Sequence, residues 1–198
     1  DSTEEAELAE SRTKALVLTE PPLPFRLLET MVWTPDKGYF LLDLHLKRLT
    51  GSAGYFSFPV DQRGVLQELD RLADRLPHQP CKVRLLVSEV GAISCEWESL
   101  DAHPLPRMPT VRPASSPVDS SDRFLYHKTT RRDVYEEARR QSPDCHDVLL
   151  WNERGELTES TNANIVAEIG GELVTPPVSC GLLPGVYREW MLQQGEVR

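Results

Sequence analysis

The 198-residue chain is 39% hydrophobic and 27% charged, the composition of a globular protein with enough apolar material for a sizeable core. Its formal charge of -9, without any cluster of five or more basic residues, argues against nucleic acid as a partner, because phosphate binding leaves a basic footprint. No apolar run approaches the roughly 20 residues needed to span a bilayer, so no membrane partner is expected.

The acidic opening DSTEEAELAE reads as neither a signal nor a transit peptide, and residues 1–24 read as a linker or lead-in stopped by Pro21 and Pro22. Two strand-like runs, FRLLETMVW (25–33) and GYFLLD (38–43), flank TPDKG, a turn composition. Leu42, Leu46 and Leu49 then recur at helical spacing, with Gly51 and Gly54 punctuating the helix end. Val65, Leu66, Leu69, Leu72 and Leu76 predict a second helix over 61–76, and CKVRLLVSEVGAISCEWESL (81–100) alternates as a hairpin around EVGA. Strands, helices and strands in that order make residues 25–112 a small α+β domain.

The stretch DAHPLPRMPTVRPASSPVDSS (101–121) carries five prolines and reads as a domain crossing, with the interdomain linker placed at 113–121. Beyond it, DRFLYHK reads as a strand and TRRDVYEEARRQ as a helix with Val134, Tyr135 and Ala138 on one side. DVLLWNERGELTES reads as a hairpin turning at Asn152–Gly155, and NIVAEIGGELVTPP as another turning on its glycine pair. GLLPGVYREWMLQQ is a loop leading into a helix near Gly185. Residues 122–198 are therefore expected to form a β-rich second domain, an incomplete one, since its last helix has barely begun. Cys81, Cys95, Cys145 and Cys180 are far apart and lack CxxC or a nearby histidine pair. They read as reduced thiols of a cytoplasmic protein, with no disulfide framework and no metal site.

Four features are candidates for chemistry. Lys128 stands at a strand-to-helix junction; a lysine there is ordinarily a solvated edge residue, but a desolvated one with a lowered pKa is a Schiff-base nucleophile. Glu159 in LTES is a surface carboxylate or, against a cofactor's pyridine nitrogen, an ion-pair partner that strengthens an electron sink. Arg48 in HLKRL is solvated or, on the inward edge of its helix, suited to bidentate phosphate binding. In LLPGVYR a glycine precedes a helix start, whose free N–H groups form an anion site. His45 and His127 read as structural. No nucleophile elbow, phosphate-binding Gly-rich loop or metal-spaced cluster is present.

Taken in order, FRLLETMVW, GYFLLDLHLKRLTGSA, YHKTTRRDVY, DVLLWNERGELTESTNANIV and LVTPPVSCGLLPGVYR resemble the class IV pyridoxal-phosphate enzymes. That family includes branched-chain and D-amino-acid aminotransferases and 4-amino-4-deoxychorismate lyase. The resemblance runs from about Phe25 to Arg188. It implies a two-domain, fold-type IV architecture and a homodimer, with pyridoxal 5'-phosphate in the cleft between domains.

It also implies roles. Lys128 would bond to the cofactor aldehyde and serve as base and acid, and Glu159 would sit against the pyridine nitrogen. Arg48 would bind the phosphate with backbone groups of Val186 and Tyr187. Thr161, Asn162 and Asn164 would line the pocket. Tyr187 departs from the threonine that many members carry. Arg132, Arg131 and Arg26 are surface residues or partners for substrate carboxylates. The lead-in and KTTRRDVY are similar to the lyase module found behind aminodeoxychorismate synthase. The implied activity is conversion of 4-amino-4-deoxychorismate to 4-aminobenzoate and pyruvate, a step of folate biosynthesis. The alternatives are an aminotransferase of the same family, with Glu29 in LLETM fitting either, or a cofactor-free interaction module.

Overall fold

Strand β1 (Leu27–Thr34) lies inside a four-stranded antiparallel sheet of order β2–β1–β3–β4, with β2 (Gly38–Tyr39), β3 (Cys81–Val87) and β4 (Ile93–Ser99). The structure is a computed structural model that describes residues 24–100 and 108–198; all but the last residue of the expected lead-in at 1–24, and residues 101–107 of the proline-rich stretch, lie outside the described residues. Side chains alternate across a strand, so Leu27, Glu29, Met31 and Trp33 share one face of β1. They register with Val87, Leu85, Val83 and Cys81 of β3. Helices α1 (Leu42–Phe56) and α2 (Gln62–Ala73) cover that face, closing a core of Leu46, Leu49, Ala53, Val65, Leu69 and Leu72 against it. Each fully buried leucine adds about 2 kcal/mol of apolar transfer free energy. Asp61 caps α2 by accepting from the Arg63 N–H at 3.0 Å.

A second sheet, order β5–β6–β7, comprises β5 (Val111–Pro113), β6 (Asp147–Trp151) and β7 (Leu157–Ser160). β5 runs parallel to β6, and the crossover between them carries α3 (Asp133–Gln141). Tyr135 and Ala138 of α3 pack with Val148 and Leu150 of β6 in a second core. The expected hairpin β8 (Ala167–Ile169) with β9 (Glu172–Val174) is present, turning on Gly170 and Gly171 at φ 63° and 83°, angles that favour glycine. Helix α4 (Val186–Gln194) follows, with Gly185 at its N-cap. The mixed α and β architecture agrees with the expected fold class.

Four expectations need correction. The run 38–43 is not a strand throughout: β2 stops at Tyr39, and Leu41, at φ 53°, turns the chain into α1. Gly51 and Gly54 do not end α1 but lie within it, where packing of Leu49, Ser52 and Ala53 outweighs glycine's poor helix propensity. The stop is Ser57 at φ 58°, with the Phe58 N–H donating to the Ala53 carbonyl at 2.9 Å. DRFLYHK is not a strand; Arg123–Leu125 form one 3₁₀ turn, because the Asp122 carboxylate accepts from the Phe124 N–H at 2.9 Å and diverts the chain. The proline-rich stretch is not all connection, since β5 pairs within it and spans the expected 112/113 boundary.

Candidate active site

Lys128 is held by backbone pairing with the start of β1. The Leu28 N–H donates to the Lys128 carbonyl at 3.0 Å, and the Thr130 N–H to the Arg26 carbonyl at 2.9 Å. Thr130 Oγ1 accepts from the Arg26 N–H at 2.9 Å. Rings tighten the same junction: Phe124 lies edge-on to Phe25 at 5.2 Å and stacks on Phe56 at 5.6 Å. His127 belongs here, its Nδ1 3.0 Å from Ser52 Oγ and its ring 4.9 Å from Phe56. That is the structural role expected of it.

The Lys128 side chain enters a cavity of about 460 Å³, lined from β1 by Thr30, Met31 and Val32, and from the approach to α1 by Phe40 and Leu41. His45, Arg48, Arg132, Tyr135, residues 159–164 and the turn at Leu183–Arg188 complete the wall. The size suits a small cofactor with a substrate beside it. Burial, reinforced by the positive charges of Arg48 and Arg132, pushes the Lys128 amine down to about 8, against partial opposition from Glu29 and Glu159. An amine so tuned is still mostly protonated at neutral pH, but roughly a tenth of it is free base, far more than for an ordinary lysine.

Glu159 projects from β7 and is 4% exposed. Its Oε1 accepts from the Tyr135 hydroxyl at 2.8 Å and the Leu183 N–H at 3.1 Å, and its Oε2 accepts from Asn164 Nδ2 at 3.0 Å. Burial raises its carboxyl to about 7 even though these donors and Lys128 pull the other way. Asn164 also donates to the Leu183 carbonyl at 2.9 Å. A Cβ on Gly185 would collide with Asn164 Oδ1, so this contact requires glycine.

Arg48 and the start of α4 meet at one side of the cavity. Arg48 gives Nε and Nη2 to Glu29 at 2.9 and 2.6 Å and Nη1 to the Pro184 carbonyl at 3.2 Å. Gly185 supplies no side chain to cap α4, so the N–H groups of Val186 and Tyr187 open the helix without a side-chain acceptor. The Tyr187 side chain is 55% exposed and stacks on Trp190 at 5.4 Å. The backbone N–H of Tyr187, in the first turn of α4, is independent of the side chain that replaces threonine at this position.

Thr161 and Asn162 line the cavity, yet the Thr161 hydroxyl is spent on Asp147, which also accepts from the Thr161 N–H at 3.1 Å and Ser160 Oγ at 2.8 Å. Burial opposes ionisation of Asp147, but these donors outweigh it and hold the carboxyl below its usual range. The three candidate arginines separate. Arg132 lines the cavity, lies 4.6 Å over the Tyr135 ring and donates Nη2 to the Thr161 carbonyl at 2.5 Å. Arg131 turns away to Asp133 and the face of Phe124, and Arg26 is exposed. Sequence reasoning missed Tyr135 and Asp147 as site residues. A buried tyrosine hydroxyl needs a partner, and that was the available signal.

The chain belongs to the class IV aminotransferase family, whose model matches residues 26–198; its members are enzymes that work through pyridoxal phosphate. A Schizosaccharomyces pombe protein carrying the provisional name aminodeoxychorismate lyase is 30% identical over 181 residues, 86% of this chain and 74% of its own. A Mesorhizobium loti structure, described provisionally as an amino-acid aminotransferase, is 34% identical with a TM-score of 0.81, covering 88% of this chain and 85% of its own. A Legionella pneumophila structure, described provisionally as a 4-amino-4-deoxychorismate lyase, has a TM-score of 0.72 at 22% identity, covering 90% of this chain and 76% of its own. Among the described residues no helix is long and apolar enough to cross a membrane.

Proposed function

We propose that this chain is a pyridoxal-phosphate-dependent lyase that converts 4-amino-4-deoxychorismate to 4-aminobenzoate and pyruvate, acting as a cytoplasmic homodimer. The observation that carries the reading is one cavity holding a lysine amine tuned to about 8, a carboxylate opposite it, and two guanidinium groups, Arg48 and Arg132. The donor set fits the cofactor. Lys128 offers the amine for its aldehyde, Glu159 a hydrogen-bonded carboxylate for its ring nitrogen, and Arg48 with the Val186 and Tyr187 N–H groups a seat for its phosphate. Gly185, at the start of that helix, leaves room for Asn164, which a Cβ there would strike.

When bound, the cofactor supplies an electron sink that stabilises negative charge at the carbon carrying the substrate nitrogen. The chain's own residues do the rest. Lys128, as free base, takes the proton from that carbon. The carbon–oxygen bond to the enolpyruvyl group breaks, and Lys128 returns the proton to the departing methylene, so pyruvate leaves and the ring becomes aromatic. One group as base and then acid requires a pKa near the working pH, which burial and the flanking cations provide. Arg132 is assigned to a substrate carboxylate.

The deciding experiment supplies pyridoxal phosphate and 4-amino-4-deoxychorismate without an amino acceptor and follows pyruvate. Stoichiometric pyruvate and 4-aminobenzoate support the lyase. Turnover only when an amino acid and a 2-oxo acid are paired supports the second reading, an amino-acid aminotransferase, which the similarity to the Mesorhizobium loti structure favours.

A further inference from the structure

Glu29 has no part in the chemistry above, yet its carboxylate is 1% exposed in the middle of β1. Isolating a charge from water is unfavourable unless partners satisfy it. Here they do: Arg48 donates Nε and Nη2, and His45 Nδ1 lies 2.7 Å away. Burial alone would raise the Glu29 carboxyl, but the hydrogen bonds and charges of Arg48 and His45 prevail and hold it below its usual range. Glu29 is therefore an ionised, acceptor-only group that grips one edge of the guanidinium.

The donor count then becomes informative. A guanidinium has five N–H groups. Glu29 takes two and the Pro184 carbonyl takes a third, which leaves one N–H on each terminal nitrogen of a side chain that lines the cavity. Arg48 is thus tied to β1 on one side and to the entrance of α4 on the other. A free arginine loses rotamer freedom when it captures an anion; this one has lost it beforehand.

We propose that Glu29 is a positioning residue for anion capture, fixing Arg48, with help from His45, so that its two remaining N–H groups meet the cofactor phosphate beside the α4 N-terminus. The inference rests on the pyridoxal-phosphate reading of the cavity. It opposes simple charge reasoning. Removing a carboxylate beside an anion site tightens binding when electrostatics alone decide, and weakens it when Glu29 acts by holding Arg48 in place.

The test compares wild type, Glu29→Gln and Glu29→Asp, each confirmed as folded by circular dichroism. Dissociation constants are measured for pyridoxal 5'-phosphate and for pyridoxal, which lacks the phosphate, with borohydride-fixed mass on Lys128 and competition by inorganic phosphate as further readouts. Glu29→Gln is expected to weaken pyridoxal phosphate about tenfold while changing pyridoxal by no more than about twofold, and to blunt the competition. Glu29→Asp, which keeps the charge but sets it back by one methylene, is expected to fall between. Tighter or unchanged phosphate binding in Glu29→Gln, or an equal change for both aldehydes, overturns the proposal. If Glu29→Gln does not fold, Glu29→Asp decides alone: lost phosphate preference supports positioning, and retained preference overturns it. A wild-type chain without phosphate preference overturns the cofactor reading as well, whereas a wild type that has it and variants that keep it remove only the role of Glu29.

Discussion

The Tyr135 hydroxyl donates to Oε1 of Glu159 across 2.8 Å, joining the helix that follows the lysine to the strand that carries the carboxylate. The bond favours the ionised carboxylate and works against burial, which has already raised that group to about 7. Tyr135→Phe removes the donor, so the Glu159 midpoint is expected to rise above the wild-type value. NMR titration of carbon-13-labelled glutamate reads this directly. A midpoint at or below wild type would show that the hydroxyl does not act on the carboxylate.

Lys128 and Glu159 make the cofactor-free fold pH-sensitive in opposite windows. Lys128 falls from 10.5 to about 8 on folding, so between those values the unfolded chain binds more protons and stability climbs with pH. Glu159 rises from 4.5 to about 7, so across that interval the folded chain binds more protons and stability declines with pH. Both penalties are in force between about 7 and 8. Lys128→Met is accordingly expected to stabilise the cofactor-free chain near pH 7.5 by roughly 3 kcal/mol, an advantage that fades as pH rises toward 10.5. Urea unfolding at pH 7.5 and 10.5 measures it; equal gains at both values would mean that desolvation of the amine is not the cause.

Gly185→Ala puts a methyl group where Asn164 Oδ1 now lies. The asparagine must swing away from Glu159 and Leu183, so a destabilisation of about 1–3 kcal/mol is expected together with weaker cofactor binding. Asn164→Ala in the same background separates the effects. If the clash is the cause, the second substitution recovers part of the stability lost to the first, and thermal denaturation of the pair measures this.

The neighbouring arginines provide an internal control. Arg132→Gln should raise KM for 4-amino-4-deoxychorismate about tenfold or more, since a charged hydrogen bond inside the cavity is lost. Arg131→Gln should leave KM within about twofold, because its contacts are with Asp133 and the Phe124 ring outside the site. Steady-state pyruvate release reports both, and equal effects would withdraw the assignment of Arg132 to substrate.

Residue types alone leave Lys128, Glu159 and Arg48 with solvated or surface readings, and it is the resemblance to the class IV family that singles them out; with Gly185 they all line one cavity. Periodicity located the amphipathic helices and the hairpins because the apolar faces of α2 and β6 follow their own repeats. The failures share a different origin. DRFLYHK has the aromatic composition of a strand, but the Asp122 side chain competes locally for the backbone, and composition does not register such competition. Gly51 and Gly54 have the character of helix stops, but packing on either side of them decides. Thr161 lines the cavity as expected, but its hydroxyl bonds to Asp147, a partner 14 residues away that no local pattern indicates. Glu29 stood inside an apolar strand run, where only the arrival of α1 above it explains the charge.

The pairing of Lys128 with Leu28 joins segments 100 residues apart in the chain. Loop closure over such a separation is slow relative to the formation of a hairpin or a helix. The amine therefore reaches its working position only after β1 and the later segment have met, however early each has formed by itself. A refolding chain supplied with pyridoxal phosphate should change colour only once those two segments have met, so that the aldehyde times a single long-range encounter.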